Sequence, residues 1–185
     1  MNCENNIDLD FWDSSKSFFV KYEEQKSTIF KIFEELSNRF PNDFQKQYFT
    51  KTKGNKISQG YNLYGFPYQV LDLARDFDQK FGFNIRILNW VGNGFYIFVY
   101  VGHQKAKEFL LKISDSKDFE NYYTGSSSFN YQAILNESCK FTQQFETRNH
   151  RNIIVFWEKL PLQEDFSANV NLLEFKIEKA FDISA

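Results

Sequence analysis

The sequence predicts an α+β fold in which an antiparallel sheet of four or five strands has helices packed on at least one face. Three observations predict this fold. Apolar residues recur at helical spacing from Ser14 to Phe40. An Asn-Gly turn joins two aromatic and β-branched runs between residues 84 and 101, and Asn152–Glu158 is a further run of this kind. Helices followed by strands and further helices in one chain are typical of α+β domains.

The chain is long enough for one such domain. At 185 residues it can bury roughly 70% of its unfolded surface in one core. We expect residues 1–12 to be a disordered N-terminus and residues 13–185 to form the domain. The first thirteen residues hold four acids, no basic residue and no apolar run, which predicts no signal peptide and favours a cytoplasmic location. Residues 84–102 are apolar, but their central Gly-Asn-Gly favours a hairpin over a membrane span.

The first half of the chain is predicted to be mostly helical. The helix from Ser14 ends before Pro41, and a second short helix follows up to Phe49. Residues 51–67 contain three glycines and a proline, which predicts a long irregular loop. Residues 68–81 are predicted to be a helix, because apolar residues fall on one side and Gly82 can end it.

The second half begins with the hairpin, for which we expect strands at 84–90 and 95–101. A helix follows Gly102, where apolar residues recur at 106, 109, 110 and 113. Residues 129–135 alternate as in a strand, whereas residues 140–147 fit a strand or a helix equally well. Residues 167–181 fit both patterns, and we favour the helix.

The hairpin is apolar on both faces. A two-residue turn at Asn93-Gly94 would pair Leu88 with Val99 on a dry core face. Asn89, Tyr96 and Tyr100 would then share the other face, and only an odd-length loop would swap this arrangement. Buried tyrosine hydroxyls and amides need partners, so this face is either covered by a helix layer or forms the floor of a ligand pocket.

The leading hypothesis is therefore a non-enzymatic domain that binds a protein or a small molecule through this aromatic face and the adjoining loop. No motif points to a cofactor or a metal ion. The expected ligand-binding residues are Asn62, Tyr64, Tyr68, Asn89, Tyr96 and Tyr100.

Two alternatives remain open. Residues 44–107 hold nine Lys/Arg against three Asp/Glu, and basic residues interleaved with aromatic ones suit single-stranded nucleic acid. The lysines of that site would be Lys46, Lys51, Lys53 and Lys56. If residues 68–81 are a helix, Asp72 and Asp76 lie one turn apart, where they could hold a divalent metal ion in a hydrolase.

Two blocks of the sequence, GFPYQVLDLARDF (residues 65–77) and IRILNWVGNGFYIFVYVG (residues 85–102), resemble a pattern in small uncharacterised bacterial proteins. A composition rich in Asn, Lys, Phe and Ile also suits an AT-rich bacterial genome. The resemblance implies no activity and no role for any residue.

Overall fold

The computed structural model of the chain describes residues 6–114, 116–125, 129–137, 139–140 and 153–184. These residues form an α+β fold around one antiparallel sheet, as predicted. The sheet has seven strands rather than four or five. In chain order they are β1 (Lys56–Leu63), β2 (Phe66–Asp76), β3 (Phe83–Trp90), β4 (Gly94–Val101), β5 (Tyr123–Gly125), β6 (Cys139–Lys140) and β7 (Ile154–Leu160). Their order across the sheet is β1-β2-β3-β4-β7-β5-β6.

Helices lie on both sides of this sheet. They are α1 (Leu9–Arg39), α2 (Asn42–Tyr48), α3 (His103–Ser114), α4 (Tyr131–Glu137) and α5 (Phe166–Ser184), with a short 3₁₀ turn at Lys117–Phe119. None of the helices in the described ranges has both the length and the apolar character needed to cross a membrane.

The first helix begins earlier than expected. Asp8 caps it, with its side chain accepting a hydrogen bond from the Phe11 N–H at 2.9 Å, so α1 starts five residues before Ser14. The expectation of a disordered N-terminus falls partly on residues 1–5, which lie outside the described residues. The short helix after Pro41, the helix after Gly102, the strand at β7 and the C-terminal helix are confirmed.

Two predictions in the first half were wrong. The expected loop at 51–67 contains β1, which is joined to β2 by a tight turn with positive φ at Tyr64 (51°) and Gly65 (89°). The expected helix at 68–81 is strand β2. This strand is buried on both faces, so its apolar residues show no two-residue alternation and resemble a helical stripe.

The prediction of a strand at 129–135 was also wrong, because this segment contains helix α4. The Asn130 side chain accepts a hydrogen bond from the Ala133 N–H at 3.1 Å and so caps the helix. Tyr131 and Ile134, three residues apart, are buried against the sheet. Of the ambiguous segment near 140–147, only Lys140 is described, in β6, and the rest lies outside the described residues.

The face assignment of the hairpin needs correction. The β3–β4 loop has three residues, with Gly92 at φ +79°, and it pairs Trp90 with Gly94 and Leu88 with Tyr96. This odd-length loop swaps the faces of β3 relative to β4. Leu88 therefore lies beside Tyr96, while Asn89 lies on the opposite face beside Phe95.

The sheet has two apolar faces, and each face has its own core cluster. The inner face packs against α1, α2, α3 and α5, with fully buried residues that include Phe33, Leu71, Ile97 and Phe181. The outer face packs against α4, and its cluster includes Val70, Leu88, Phe98 and Tyr131. Burying each large apolar side chain contributes roughly 1.5–3 kcal/mol, so both layers stabilise the sheet.

Candidate functional site

A cleft of about 250 Å³ lies between the middle of α1 and the β3–β4 loop, and we call it the α1 cleft. Residues 22–29 of α1 form one wall, the loop from Trp90 to Gly94 forms another, and Leu162 closes one side. Its floor is the inner face of β2 and β3. Two polar side chains line this floor in an otherwise apolar face, which makes the cleft the first candidate site.

The floor carries a pair of buried carboxamides. Sheet register places Gln69 of β2 directly beside Asn89 of β3. The Asn89 Nδ2 donates a hydrogen bond to the Gln69 Oε1 at 2.6 Å, and the residues are only 1% and 9% exposed. Gln59 of β1 continues the row on the other side of Gln69 but is itself exposed.

The α1 wall adds a hydroxyl and a cation. The Tyr22 hydroxyl lies 3.4 Å from the Gln69 Nε2, at the outer limit of a hydrogen bond. The Lys26 ammonium lies 5.6 Å from the centre of the Tyr22 ring and forms an ion pair with Glu23. The hydrogen bond that Lys26 donates to the Glu23 carboxylate raises the pKa of Lys26, so its amine stays charged.

The third wall is a short loop held by backbone hydrogen bonds. The Val91 N–H donates to the Pro67 carbonyl at 3.1 Å, and the Asn93 N–H donates to the Trp90 carbonyl at 2.9 Å. Gly92 and Gly94 leave this wall without side chains, so the loop backbone borders the cleft.

This set of groups suits binding better than catalysis. The amides and the hydroxyl offer both donors and acceptors, and the ammonium adds one positive charge. A lysine nucleophile would need a lowered pKa, whereas the pKa of Lys26 is raised. The residues lining the cleft include no histidine, cysteine or carboxylate that could act as a general base.

A second polar cluster lies on the outer face, beneath α4. The Arg86 guanidinium makes a two-pronged ion pair with Asp72, with N–O distances of 2.7 and 2.8 Å. It also donates from Nη1 to the Tyr131 hydroxyl at 2.8 Å. Burial alone would lower the pKa of Arg86, but the Asp72 carboxylate more than offsets this and raises it. The sheet therefore holds a charged pair within its second core.

Two buried polar atoms beside this ion pair have no hydrogen-bond partner in the described part of the chain. They are the Asn84 Oδ1 and the Tyr100 hydroxyl, which lie on directly paired residues of β3 and β4. The Tyr131 hydroxyl is close enough to raise the pKa of Tyr100 both electrostatically and as a hydrogen-bonding neighbour, although the two hydroxyls do not reach full hydrogen-bond geometry. Burial, with Tyr131 as a second cause, raises the pKa of Tyr100 well above 10, so its phenol stays neutral.

The residues expected to bind a ligand are not brought together in one pocket. Tyr96 and Tyr100 are 5% and 1% exposed and belong to the outer core, whereas Asn89 lies across the sheet from them in the floor of the α1 cleft. Asn62 and Tyr64 are exposed around the β1–β2 turn. The Tyr64 hydroxyl donates to the Asn130 Oδ1 at 2.9 Å, which ties this turn to α4.

The remaining expected ligand residue is half-buried, and its role is structural in part. Tyr68 packs at the margin of the outer core, opposite Trp90 of β3. Among the six expected residues, only Asn89 lines the α1 cleft. Tyr22, Lys26 and Gln69 were missed, because residues 68–81 were expected to be a helix and Tyr22 was assigned only to a helical apolar stripe.

The lysines and aromatic rings of the nucleic-acid alternative are interleaved in the sequence, but in the structure they lie in different places. Lys46 lies on α2, Lys51 and Lys53 precede β1 and Lys56 begins it, and all four are exposed. The exposed rings of Tyr61, Tyr64 and Phe66 lie towards the far end of β1, and the nearest of them, Tyr61, is five strand residues or roughly 17 Å from Lys56. Nucleic-acid binding stays a hypothesis without a combined surface for phosphates and bases.

The geometry assumed for a metal site was wrong. Asp72 and Asp76 lie on a strand rather than one turn apart on a helix, and a register shift lies between Leu73 and Asp76. The Asp72 carboxylate is bound by Arg86. Within the described residues, no three His, Cys, Asp or Glu side chains are grouped closely enough to hold a metal ion.

Comparisons with protein-family models, with curated proteins and with solved structures find no significant match to this chain. The resemblance noted for residues 65–77 and 85–102 therefore stays an expectation.

Proposed function

We propose that the protein is a non-enzymatic domain that binds a small polar molecule in the α1 cleft. The observation that carries this proposal is the pair of carboxamides, Gln69 and Asn89, at the floor of an open cleft. Burying an amide is costly unless its polar atoms are paired. Each amide offers two N–H donors and an oxygen with two lone pairs, and the Asn89–Gln69 bond uses one donor and one lone pair.

The size and charge of the cleft narrow the class of ligand. Its volume of about 250 Å³ is just below the usual range for drug-sized ligands, which favours a molecule smaller than those. Lys26 on the α1 wall would bind a ligand carboxylate in place of Glu23, its partner in the unliganded protein. The two floor amides and the Tyr22 hydroxyl favour a hydroxyl or amide elsewhere on the same ligand. We therefore propose small carboxylates that carry a hydroxyl or amide group.

Thermal unfolding in the presence of a panel of amino acids and hydroxy acids tests this proposal. A ligand at about 100 times its Kd stabilises the folded state by about 2.7 kcal/mol. For a chain of this length, that corresponds to a rise in Tm of roughly 5–10 °C. Titration calorimetry on any compound that shifts Tm then gives its Kd.

A matched pair of variants locates the binding. Gln69→Met removes the amide from the floor at nearly constant size and is expected to abolish the shift. Gln59→Met makes the same change on the neighbouring strand, outside the cleft lining, and is expected to keep it. The proposal is wrong if no panel compound stabilises the wild-type protein, or if both variants respond alike.

A further inference from the structure

The first half of α1 extends away from the body of the protein. The helix has 31 residues, but its buried residues are confined to Ile29, Ile32, Phe33 and Leu36. From residue 6 to residue 21, every residue except Ser15 is exposed. We call residues 9–21 the α1 extension. At 1.5 Å per residue it spans roughly 20 Å.

The α1 extension is strongly aromatic. Phe11, Trp12, Phe18 and Phe19 are each 59–63% exposed. Single exposed apolar residues are ordinary on a protein surface, but a contiguous group of large rings marks an interaction site. The four rings form two edge-on pairs, Phe11 with Trp12 and Phe18 with Phe19, which lie two helical turns apart on α1.

These rings continue the stripe that packs α1 onto the sheet. Phe11 and Ile29 are eighteen residues apart, as are Phe18 and Leu36, and eighteen residues make five full helical turns. Each exposed ring therefore lies at the same angle around the helix axis as a buried core residue. Trp12 and Phe19 widen the stripe on one side. The apolar face of α1 is thus buried along its second half and exposed along its first half.

We infer that a second copy of this chain covers the exposed face, with the two α1 extensions packed antiparallel. Charge complementarity supports this occupant. Asp10 and Lys21 are eleven residues, or about three turns, apart, so they lie on the same side of the stripe at opposite ends of the extension. An antiparallel pair with its two-fold axis between Ser15 and Lys16 places Asp10 of each copy beside Lys21 of the other.

A parallel pair would instead bring the acidic N-terminal ends of the two extensions together, and the two Lys21 ends together. The charges therefore favour the antiparallel arrangement.

The exposed area is sufficient for a stable dimer. A phenylalanine or tryptophan ring at 59–63% exposure leaves roughly 120 Å² to cover. Four rings on each of two copies give roughly 1,000 Å², before the flanking side chains are counted. This value meets the lower bound for a specific protein interface.

Sedimentation equilibrium over about two orders of magnitude in protein concentration tests the inference. We expect the wild-type chain to approach twice its monomer mass of 22.1 kDa at about 0.1 mM. Phe18→Glu places a charge near the two-fold axis and is expected to leave a monomer with an unchanged circular dichroism spectrum, because Phe18 is exposed. A wild-type protein that stays monomeric at this concentration overturns the inference.

Two further variants test the geometry of the interface. Val20 is equally exposed but lies about 200° around the helix from Phe18, so Val20→Glu is expected to leave the dimer intact. Asp10→Lys is expected to weaken the dimer at least tenfold, and adding Lys21→Glu is expected to restore it. Dissociation by Val20→Glu, or failure of the double variant to recover, contradicts the antiparallel stripe. Phe18 and Val20 do not line the α1 cleft, so this outcome is independent of ligand binding.

Discussion

Replacing Tyr100 with phenylalanine should stabilise the protein. The Tyr100 hydroxyl is buried on the outer face of the sheet and has no hydrogen-bond partner in the described part of the chain. The Arg86 guanidinium lies 5.7 Å from the centre of its ring. A phenylalanine ring keeps this contact and the packing on β4 and removes only the unpaired oxygen.

The size of the effect follows from the cost of an unpaired polar group. Leaving a buried donor or acceptor unsatisfied costs about 1–3 kcal/mol, so Tyr100→Phe should raise the free energy of unfolding by about that amount. In a chain of 185 residues, a change of 2 kcal/mol shifts Tm by roughly 4–8 °C.

Urea unfolding at neutral pH measures this difference, and Tyr131→Phe provides the matched control. The Tyr131 hydroxyl accepts a hydrogen bond from the Arg86 Nη1 at 2.8 Å, and hydrogen bonds to charged groups contribute about 1.5–3 kcal/mol. The same atom is therefore deleted at two neighbouring positions with opposite expected signs. The slope of the unfolding free energy with urea should stay constant, because neither change alters the buried surface appreciably.

A loss of stability in Tyr100→Phe would refute this reasoning. It would mean that the hydroxyl is paired in the folded state, either with the neighbouring Tyr131 hydroxyl or through a buried water or a bound molecule shared with the Asn84 Oδ1. A crystal structure of the wild-type protein would then show that partner between the two residues.

Three other perturbations have defined outcomes. Lys176→Met breaks the ion pair with Glu158, whose N–O distance is 2.6 Å and whose side chains are 12% and 11% exposed. The unpaired carboxylate should lower the free energy of unfolding, measured in urea, by about 3 kcal/mol. Adding Glu158→Met should recover most of this loss. Burial, with Glu158 as a second cause, raises the pKa of Tyr122 well above 10. Above about pH 10 the unfolded state loses the Tyr122 proton, whereas the folded state keeps it. The free energy of unfolding, measured in urea, should therefore fall by up to about 1.4 kcal/mol per pH unit from this residue. In Tyr122→Phe the free energy of unfolding should fall less steeply with pH. Gln45 is fully buried and forms hydrogen bonds with the Phe40 carbonyl and the Ala74 N–H at 2.7 Å each. Gln45→Leu should lower the free energy of unfolding, measured by calorimetry, by about 2–4 kcal/mol. A change below about 0.5 kcal/mol would show that these backbone groups find other partners.

The sequence alone determined the elements that carry their own periodicity. The apolar stripe in α1 repeats every three to four residues along most of its second half, and α3 and α5 show the same repeat. The central hairpin and β7 are runs rich in β-branched and aromatic residues, and turn residues bound the hairpin. These signals are local, so they do not depend on what the element packs against.

Only the tertiary structure decided the elements whose sequence pattern is shaped by packing on both of their faces. Strand β2 is buried on both faces and so lacks the alternation of a half-exposed strand. The β3–β4 loop has three residues rather than the expected two. It therefore places Asn89 on the face opposite to Tyr96 and Tyr100. The Asn-Gly pair indicated that a turn is present but not its length, and one extra residue moves every side chain of a strand to the other face.

The α1 cleft also depended on the fold. Asn89 was expected to bind a ligand, but its partner Gln69 is twenty residues away and Tyr22 forty-seven residues further. Strand register brings the first two together, and the packing of α1 across the inner face brings the third. The periodicity of a single segment carries no information about these contacts. Each contact joins residues of separate elements that pack into one core. Local patterns thus set which segments are helices or strands, whereas packing set which of their polar groups meet.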